Sequence, residues 1–374
     1  MTVEKMTTEQ MAEKLINGER LFILDVRNTD EFDDWKIEGR SVQVINVPYF
    51  NLIDDVSGVV HQLPKDEPIL VVCAKGGSSE FIAEQLIRAG VEHVYSLEGG
   101  MKAWSDYLRP VKLADLGSSG AIYQFVRLGK GCLSYFIMSD GEAVIIDASR
   151  MIENYLAFAK AHGVKIKAII DTHLHADHIS GGRRLAELSM GSYYLPPQDA
   201  DDVAFHYEPL LDEMTIQVGK TKMNVLYSPG HTQGSTSLVV DDKFFLTGDI
   251  LFIASIGRLD LAGQAMELAS GLRETLYQRY QGLAKNLIVL PAHFAKADEL
   301  NENGSVSAKL GDLYQQNAGL NVKDQTAFLK MVTEQLPPQP NAYREIRQIN
   351  KGVMTADEEK QREMEIGPNR CAVD

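Results

Sequence analysis

Cysteine is scarce in this chain of 374 residues: Cys73, Cys132 and Cys371 make an odd, widely spaced set. That excludes a disulfide scaffold and suits free thiols in a reducing compartment, so a cytoplasmic setting is expected. No apolar run approaches the ~18 residues that cross a bilayer, and the opening residues Met1 to Met6 lack the apolar stretch of a secretory leader. No membrane partner is therefore expected. Basic residues are also in deficit, 37 Lys and Arg against 52 Asp and Glu, for a net charge of −15. Nucleic acid and anionic lipid both need clustered cations, so nucleic acid is not expected as a partner either. Internal repeats and low-complexity tracts are absent. What the chain does have is 44% hydrophobic residues, over a length that predicts two or three domains at ~150 residues each.

Five of the nine histidines fall in one stretch or at two later loop positions. The stretch, His173-Leu174-His175-Ala176-Asp177-His178, follows Ile166 to Asp171, whose β-branched and small apolar residues predict a buried strand. Its imidazoles then sit on the loop at the strand's C-terminal edge, where α/β proteins place their chemistry. Downstream, His231 follows Ser228-Pro229-Gly230, Asp249 follows Thr247-Gly248, and His293 follows Pro291-Ala292. A metal ligand needs stiff backbone beneath it and an open face before it. A strand end backed by Gly or Pro supplies both. Each turn alone is an ordinary structural feature, but together they read as a metal site.

The first part of the chain reads differently. Thr7-Thr8-Glu9-Gln10 offers a capping box, and strands are expected at Leu21–Arg27, Val42–Val47 and Pro68–Cys73. A helix over Glu80 to Ala89 stops at Gly90. This alternation predicts a parallel sheet flanked by helices. Cys73 lies between a buried strand and a helix N-terminus, where loop amides, the helix dipole and Lys75 all favour thiolate. Gly76 and Gly77 let the backbone fold around an anion or an extra sulfur atom. The other reading is a small buried hydrophobe.

Asp25-Val26-Arg27, Glu31-Phe32, Asn46-Val47-Pro48, the loop from Cys73 to Ser79, and Leu97 to Trp104 together resemble a rhodanese (sulfurtransferase) domain over about residues 5–110. The resemblance implies that Cys73 carries a persulfide held by Ala74, Lys75, Gly76, Gly77 and Ser78. Ala74 and Ser78 stand where that loop commonly has arginines, whose forks recognise oxyanions. The expected donor therefore shifts from thiosulfate toward neutral or thiol-bound persulfides. Domain bounds follow: 1–110 for this unit, a linker over 111–120 marked by Gly117-Ser118-Ser119-Gly120, a metal domain over 121–300, and a helical extension over 301–374 packed on it.

Within the metal domain, strands are expected at Ile122–Val126, Cys132–Met138 and Ala143–Asp147, with Ser139-Asp140-Gly141-Glu142 as a hairpin turn. The order H-x-H-x-D-H, then His, Asp and His, resembles the metallo-β-lactamase superfamily over about 118–300. That implies an αββα sandwich with metal between the sheet edges. Two branches of the superfamily compete. Glyoxalase II-like zinc thioesterases hold two metals, His173, His175, His231 and Asp249 against Asp177, His178, Asp249 and His293. Persulfide dioxygenases hold one Fe(II) by His173, His231 and Asp249, leaving faces open for O2 and the persulfide sulfur. His175, Asp177, His178 and His293 then orient ligands and move protons.

Three features favour the dioxygenase branch: the run His175-Ala176-Asp177-His178-Ile179-Ser180-Gly181, the stretch Leu251 to Leu261 containing Gly257-Arg258-Leu259-Asp260, and the adjoining persulfide-handling unit. Ile256 and Ala295 replace a cysteine and a tyrosine of that branch. The resemblance implies that Arg258 faces the carrier of the thiol substrate, against a surface arginine paired with Asp260. Thr232 is an orienting hydroxyl or a plain turn residue. Cys132, mid-strand, reads as core. Cys371 lies in a segment similar to tails that fold back on the domain, so packing is expected there. The resulting expectation is a bifunctional enzyme that oxidises a low-molecular-weight thiol persulfide with O2 to sulfite. Cys73 would shuttle sulfane sulfur, delivering it to the iron or making thiosulfate. The alternatives are a hydrolase with one or two Zn(II) and an accessory rhodanese unit, or a rhodanese module that senses persulfide without catalysis. The resemblance also allows a homo-oligomer.

Overall fold

The computed structural model describes residues 3–259, 265–334, 336 and 338–373. Among these, no helix is long and apolar enough to cross a membrane. A first sheet of five parallel strands, β1 (Glu4–Met6), β2 (Leu21–Asp25), β3 (Val42–Asn46), β4 (Ile69–Val72) and β5 (Val94–Leu97), runs in the order β1-β5-β4-β2-β3. Its first helix, Thr8–Ile16, starts at the expected capping box, Thr7 with Gln10. Both faces of this sheet are covered. Phe22, Leu24 and Val71 pack on one side and Leu21, Ile23, Leu70 and Val72 on the other, because successive side chains of a strand point oppositely.

Two further sheets form the second domain. One is β6 (Arg109–Leu116), β7 (Gly120–Arg127), β8 (Cys132–Ser139), β9 (Glu142–Ile146), β10 (Lys165–Ile170), β11 (Ser192–Leu195) and β12 (Glu208–Pro209), ordered β12-β11-β10-β9-β8-β7-β6. The other is β13 (Thr215–Val218), β14 (Thr221–Tyr227), β15 (Thr236–Val240), β16 (Phe244–Gly248), β17 (Ile288–Pro291) and β18 (Ala308–Lys309), in that order. Leu133, Tyr135 and Ile137 of β8 meet Val225, Leu238 and Leu246 in the core between the sheets. Phe136 faces the outer helices Ile152–His162 and Gly182–Ser189 instead. Helices Ala265–Glu274, Leu310–Gln316 and Gln325–Thr333 cover the opposite outer face. This is the αββα sandwich that the resemblance implies. Asp140 and Gly141 turn the expected hairpin with φ of 48° and 79°, the left-handed pair that matches strand twist.

The linker expected over 111–120 is instead strand β6 and its turn to β7. Its Pro110 and Gly-Ser-Ser-Gly tract read as punctuation, but β6 lies at the sheet edge, where proline is tolerated. Val111 and Leu116 anchor it in the core. The C-terminal extension also departs from expectation, because it packs on both domains. Glu359 of helix Glu358–Met364 reaches Lys75 at 3.1 Å and Lys102 at 2.7 Å in the first domain.

Glu365 follows that helix and is fully buried. Its Oε2 lies 2.8 Å from Arg127 and 3.0 Å from Arg150, and its Oε1 accepts from the Ile179 amide at 2.6 Å. Arg150 in turn pairs with Asp106 of the first domain, and Trp35 donates to the Gly129 carbonyl at 2.9 Å across the domain boundary. Between the domains lies a cavity of about 590 Å³ whose lining includes Trp35, Trp104, Lys130, Phe294, Lys296 and Asn369.

Burial opposes ionisation of Glu365, yet Arg127 and Arg150 prevail and hold its carboxyl at about 2 against an ordinary 4.5. A lowered carboxyl contributes stability that is present above the ordinary value and lost as pH falls toward the folded one. We predict that wild-type stability falls by about 3 kcal/mol on acidification from pH 5 toward pH 2 through this group alone. Glu365→Gln should be about 3 kcal/mol less stable at neutral pH. It should also show a shallower acid dependence in urea titrations run at each pH.

Candidate metal centre

Four strand ends of the sandwich converge at one edge. The loop after β10 carries His173, His175, Asp177 and His178, the turn after β14 carries His231, and Asp249 and His293 follow β16 and β17. All seven side chains are buried. Gly248 has a φ of +52°, and a Cβ there would lie 2.8 Å from Thr172 Oγ1. Glycine therefore allows the turn that aims Asp249 inward.

His173, His231 and Asp249 come together. Asp249 Oδ2 lies 3.7 Å from His173 Nε2 and 3.5 Å from His231 Nε2. Metal–ligand bonds of about 2.0–2.2 Å set neighbouring donors roughly 3–3.5 Å apart, so the spacing suits one ion. Each ring is oriented from behind. His231 Nδ1 donates to the Arg258 carbonyl at 2.7 Å, leaving its Nε2 lone pair facing Asp249. His173 Nδ1 lies 3.1 Å from Thr172 Oγ1, which donates to Asp147 at 3.0 Å. The fit to a cation rests on what these atoms lack: His173 Nε2 and both Asp249 oxygens are buried without a hydrogen-bond partner. An uncompensated buried carboxylate costs several kcal/mol, and a bound cation removes that penalty. Burial, reinforced by neighbouring His175, also keeps His173 well below its usual range and hence neutral, as a ligand must be.

A second group surrounds Asp177 and His293. His293 Nε2 lies 3.2 Å from Asp249 Oδ1 and 3.5 Å from Asp177 Oδ2, while His178 Nδ1 sits 3.0 Å from Asp177 Oδ1. Burial opposes charge on His293, but Asp249 and Asp177 overcome it and raise the group well above its usual range. His175 stands apart from the set proposed for two metals. Its Nε2 faces Asp147 at 3.2 Å and Asp171 at 3.9 Å. Against burial, those carboxylates lift it to about 9.

Arg258 is fully buried and reaches the tail, donating to the carbonyls of Arg370 at 2.8 Å and Pro338 at 3.1 Å. This is not the exposed arginine of a surface pair; Asp260 lies outside the described residues. Thr232 donates to Asp199 at 2.6 Å, and Asp199 also accepts from the Leu174 and Gly234 amides at 3.0 and 2.8 Å. Asp199 thus ties the histidine loop to the His231 turn. Asn350 pins the same loop, donating to the carbonyls of His175 and His178 at 3.0 and 2.9 Å. Neither residue carries a local sequence signal. Cys132 and Cys371 are buried as expected, but both thiols border the Asp177–His293 group.

In the first domain Cys73 directly follows β4. Its Sγ accepts from the Gly76 amide at 3.0 Å and donates to Ser79 Oγ at 3.3 Å. Gly76, with φ of +102°, turns the loop around the sulfur. Lys75, expected to favour thiolate, points instead to Glu359. We predict that Asp199→Ala weakens metal binding roughly 10- to 100-fold, measured by competition with a chromophoric chelator, because both ligand-bearing turns lose a shared acceptor.

The Rhodanese-like domain family matches residues 7–107, and the Metallo-beta-lactamase superfamily matches residues 128–331, more than half of the chain. The persulfide dioxygenase of Bos taurus is 31% identical over 174 residues, 44% of this chain and 65% of that protein. A hydroxyacylglutathione hydrolase of Anaeromyxobacter dehalogenans is 34% identical over 151 residues, 40% of this chain and 57% of that one. The crystal structure of a Staphylococcus aureus metallo-beta-lactamase superposes with a TM-score of 0.58 at 25% identity, over 64% of this chain and 75% of that one. With its buried donor cluster between two sheets, the chain belongs to the metallo-beta-lactamase superfamily and carries a rhodanese-like domain ahead of the sandwich.

Proposed function

We propose that the chain is a bifunctional sulfur-metabolism enzyme. Its sandwich oxidises a low-molecular-weight thiol persulfide with O2 and water to sulfite and thiol, and its first domain moves sulfane sulfur through Cys73. The observation that carries this reading is the convergence of two imidazoles and one carboxylate, His173, His231 and Asp249, in a chain that also holds Cys73 in a tight amide-lined loop. Ferrous iron bound by those three would supply open faces for O2 and for an anionic sulfur.

The protein's own residues do the rest. Thr172 and the Arg258 carbonyl hold the two rings with their Nε2 atoms facing the carboxylate. Leu174, Ala176, Ile250 and Phe252 are buried around the site and keep it dry. His293, between Asp177 and Asp249, can hold a proton beside the reacting sulfur. In the first domain the Cys73 thiolate attacks the terminal sulfur of a donor RS–SH. The donor's S–S bond breaks, RS⁻ leaves, and Cys73–S–SH remains. The Gly76 amide, which already donates to Sγ, stabilises anionic sulfur there.

A two-zinc thioester hydrolase is the rival reading, supported by the hydroxyacylglutathione hydrolase likeness and by the second donor group. Metal and oxygen measurements separate them. Protein purified without oxygen should hold about one iron per chain and consume O2 when given a thiol persulfide. His231→Ala should lose both the iron and the oxygen uptake. Cys73→Ser should abolish sulfur transfer while leaving O2 consumption on added persulfide intact. Two zincs per chain with thioester cleavage, and no oxygen uptake, would overturn the reading.

A further inference from the structure

Ser96 has no part in the chemistry above, yet it is a buried hydroxyl on an apolar face. It lies in β5 two residues after Val94, so both side chains point to the same side of the sheet. That side is the core that Val94 shares with Cys73, Ile82 and Ala83. A hydroxyl buried there without a partner would be destabilising. Among the described residues Ser96 Oγ is bonded to Ser79 Oγ, at 2.9 Å. Ser79, also buried, lies 3.3 Å from Cys73 Sγ and donates to the Gly76 carbonyl at 2.9 Å. The two serines form a pair that ends on the sulfur, with Ser96 behind Ser79.

Counting protons assigns the donors. Ser79 Oγ carries one proton and has three neighbours that can share it. With Cys73 as a thiol, its S–H donates to Ser79, and Ser79 donates to the Gly76 carbonyl. With the sulfur anionic that S–H is gone, and Ser79 can turn its own proton to the sulfur. The Gly76 carbonyl is not stranded by this turn, because the Glu80 amide also donates to it, at 3.1 Å. Ser96 decides the outcome: by donating to Ser79 Oγ it leaves the Ser79 proton to the carbonyl or the sulfur. Ala74 and Ser78 supply no cation to the loop, and Lys75 is turned to Glu359. Besides the Gly76 amide at 3.0 Å, Ser79 is therefore the donor that can meet charge on this sulfur.

We propose that Ser96 is a positioning residue for the release of sulfur from Cys73: it holds the Ser79 hydroxyl as a donor to the Sγ that becomes the leaving group. The inference rests on the reading of the first domain as a sulfur carrier and is independent of the metal. When an acceptor such as cyanide attacks the terminal sulfur of Cys73–S–SH, a carbon–sulfur bond forms and the S–S bond breaks. Thiocyanate and a proton depart, and Sγ keeps the electron pair as thiolate. A hydrogen bond to that charge lowers the barrier, because a stabilised thiolate leaves faster. Uptake responds less. A stabilised thiolate is more abundant but less nucleophilic, and the two effects oppose each other.

The test uses the full-length chain, stripped of metal and kept without oxygen, so that the sandwich consumes no persulfide. Cys73 is loaded from cysteine persulfide and the added sulfur is read by intact mass. Release is followed as thiocyanate after rapid mixing with cyanide, and Cys73→Ser supplies the background from Cys132 and Cys371. Ser96→Ala should release sulfur roughly tenfold more slowly than wild type while loading within about threefold of it. Ser79→Ala should release at least as slowly. The double variant should be no slower than Ser79→Ala, since Ser96 acts through Ser79. A loop merely loosened by the substitutions would slow both steps and add the two effects. Ser96→Ala that releases at the wild-type rate, or that slows loading as much as release, would overturn the proposal. A wild type that takes up no sulfur beyond the Cys73→Ser background would sink the sulfur-carrier reading, and the proposal with it.

Discussion

Asp249 is the residue on which the second domain depends. It is a carboxylate at the end of a central strand, fully buried, with neither oxygen hydrogen-bonded. Burial alone would drive it to the neutral form, but the surrounding imidazoles, His293 and His173 foremost, hold its carboxyl well below the usual range. The site is therefore built for positive charge. In the folded chain that charge is held by His293, which Asp249 and Asp177 raise well above its usual range against the opposition of burial; a bound metal cation would take its place. The β-sandwich makes this arrangement affordable because its strand ends are stiff, so the repulsion and desolvation do not simply push the loops apart.

The same reasoning explains the tail. The loop from His173 to His178 places four metal-binding side chains within six buried residues, and distant residues help to support it. Asn350 takes two of its carbonyls, Glu365 takes the Ile179 amide, and Arg258 clasps residue 370. The tail's last helix also touches the Cys73 loop through the pair Lys75–Glu359. One C-terminal segment therefore contacts the loops of both candidate sites, although the Glu359 pairs are solvent-exposed and contribute little energy. The buried Glu365 cluster is the stronger connection.

What could be read from the sequence follows the range of the forces involved. The central strands of the sandwich and of the parallel sheet were legible because they are short apolar runs rich in β-branched residues, buried on both faces, and the turns after β14, β16 and β17 announce themselves with Gly or Pro. Strand β6 was hidden by a proline and a Gly-Ser tract that local rules read as a linker. Short strands such as β1 and β13 carry too few apolar residues to stand out, and β5 is only four residues long. His175 sits in the histidine cluster, but it faces Asp147 and Asp171, and nothing near it in the chain shows that. Arg258 and Cys371 depend on a contact between segments 113 residues apart in sequence number (371 − 258), so their pairing is invisible to any local pattern. Asp199 looks like any turn aspartate until the fold brings three donors to it.

The most direct test of the account is diffraction from a crystal of protein grown with Fe(II) without oxygen, using anomalous scattering at the iron edge. An anomalous peak within bonding distance of His173 Nε2, His231 Nε2 and Asp249 Oδ2 together is the predicted result. A map with no iron peak between those three atoms, in protein that binds iron elsewhere, would contradict it.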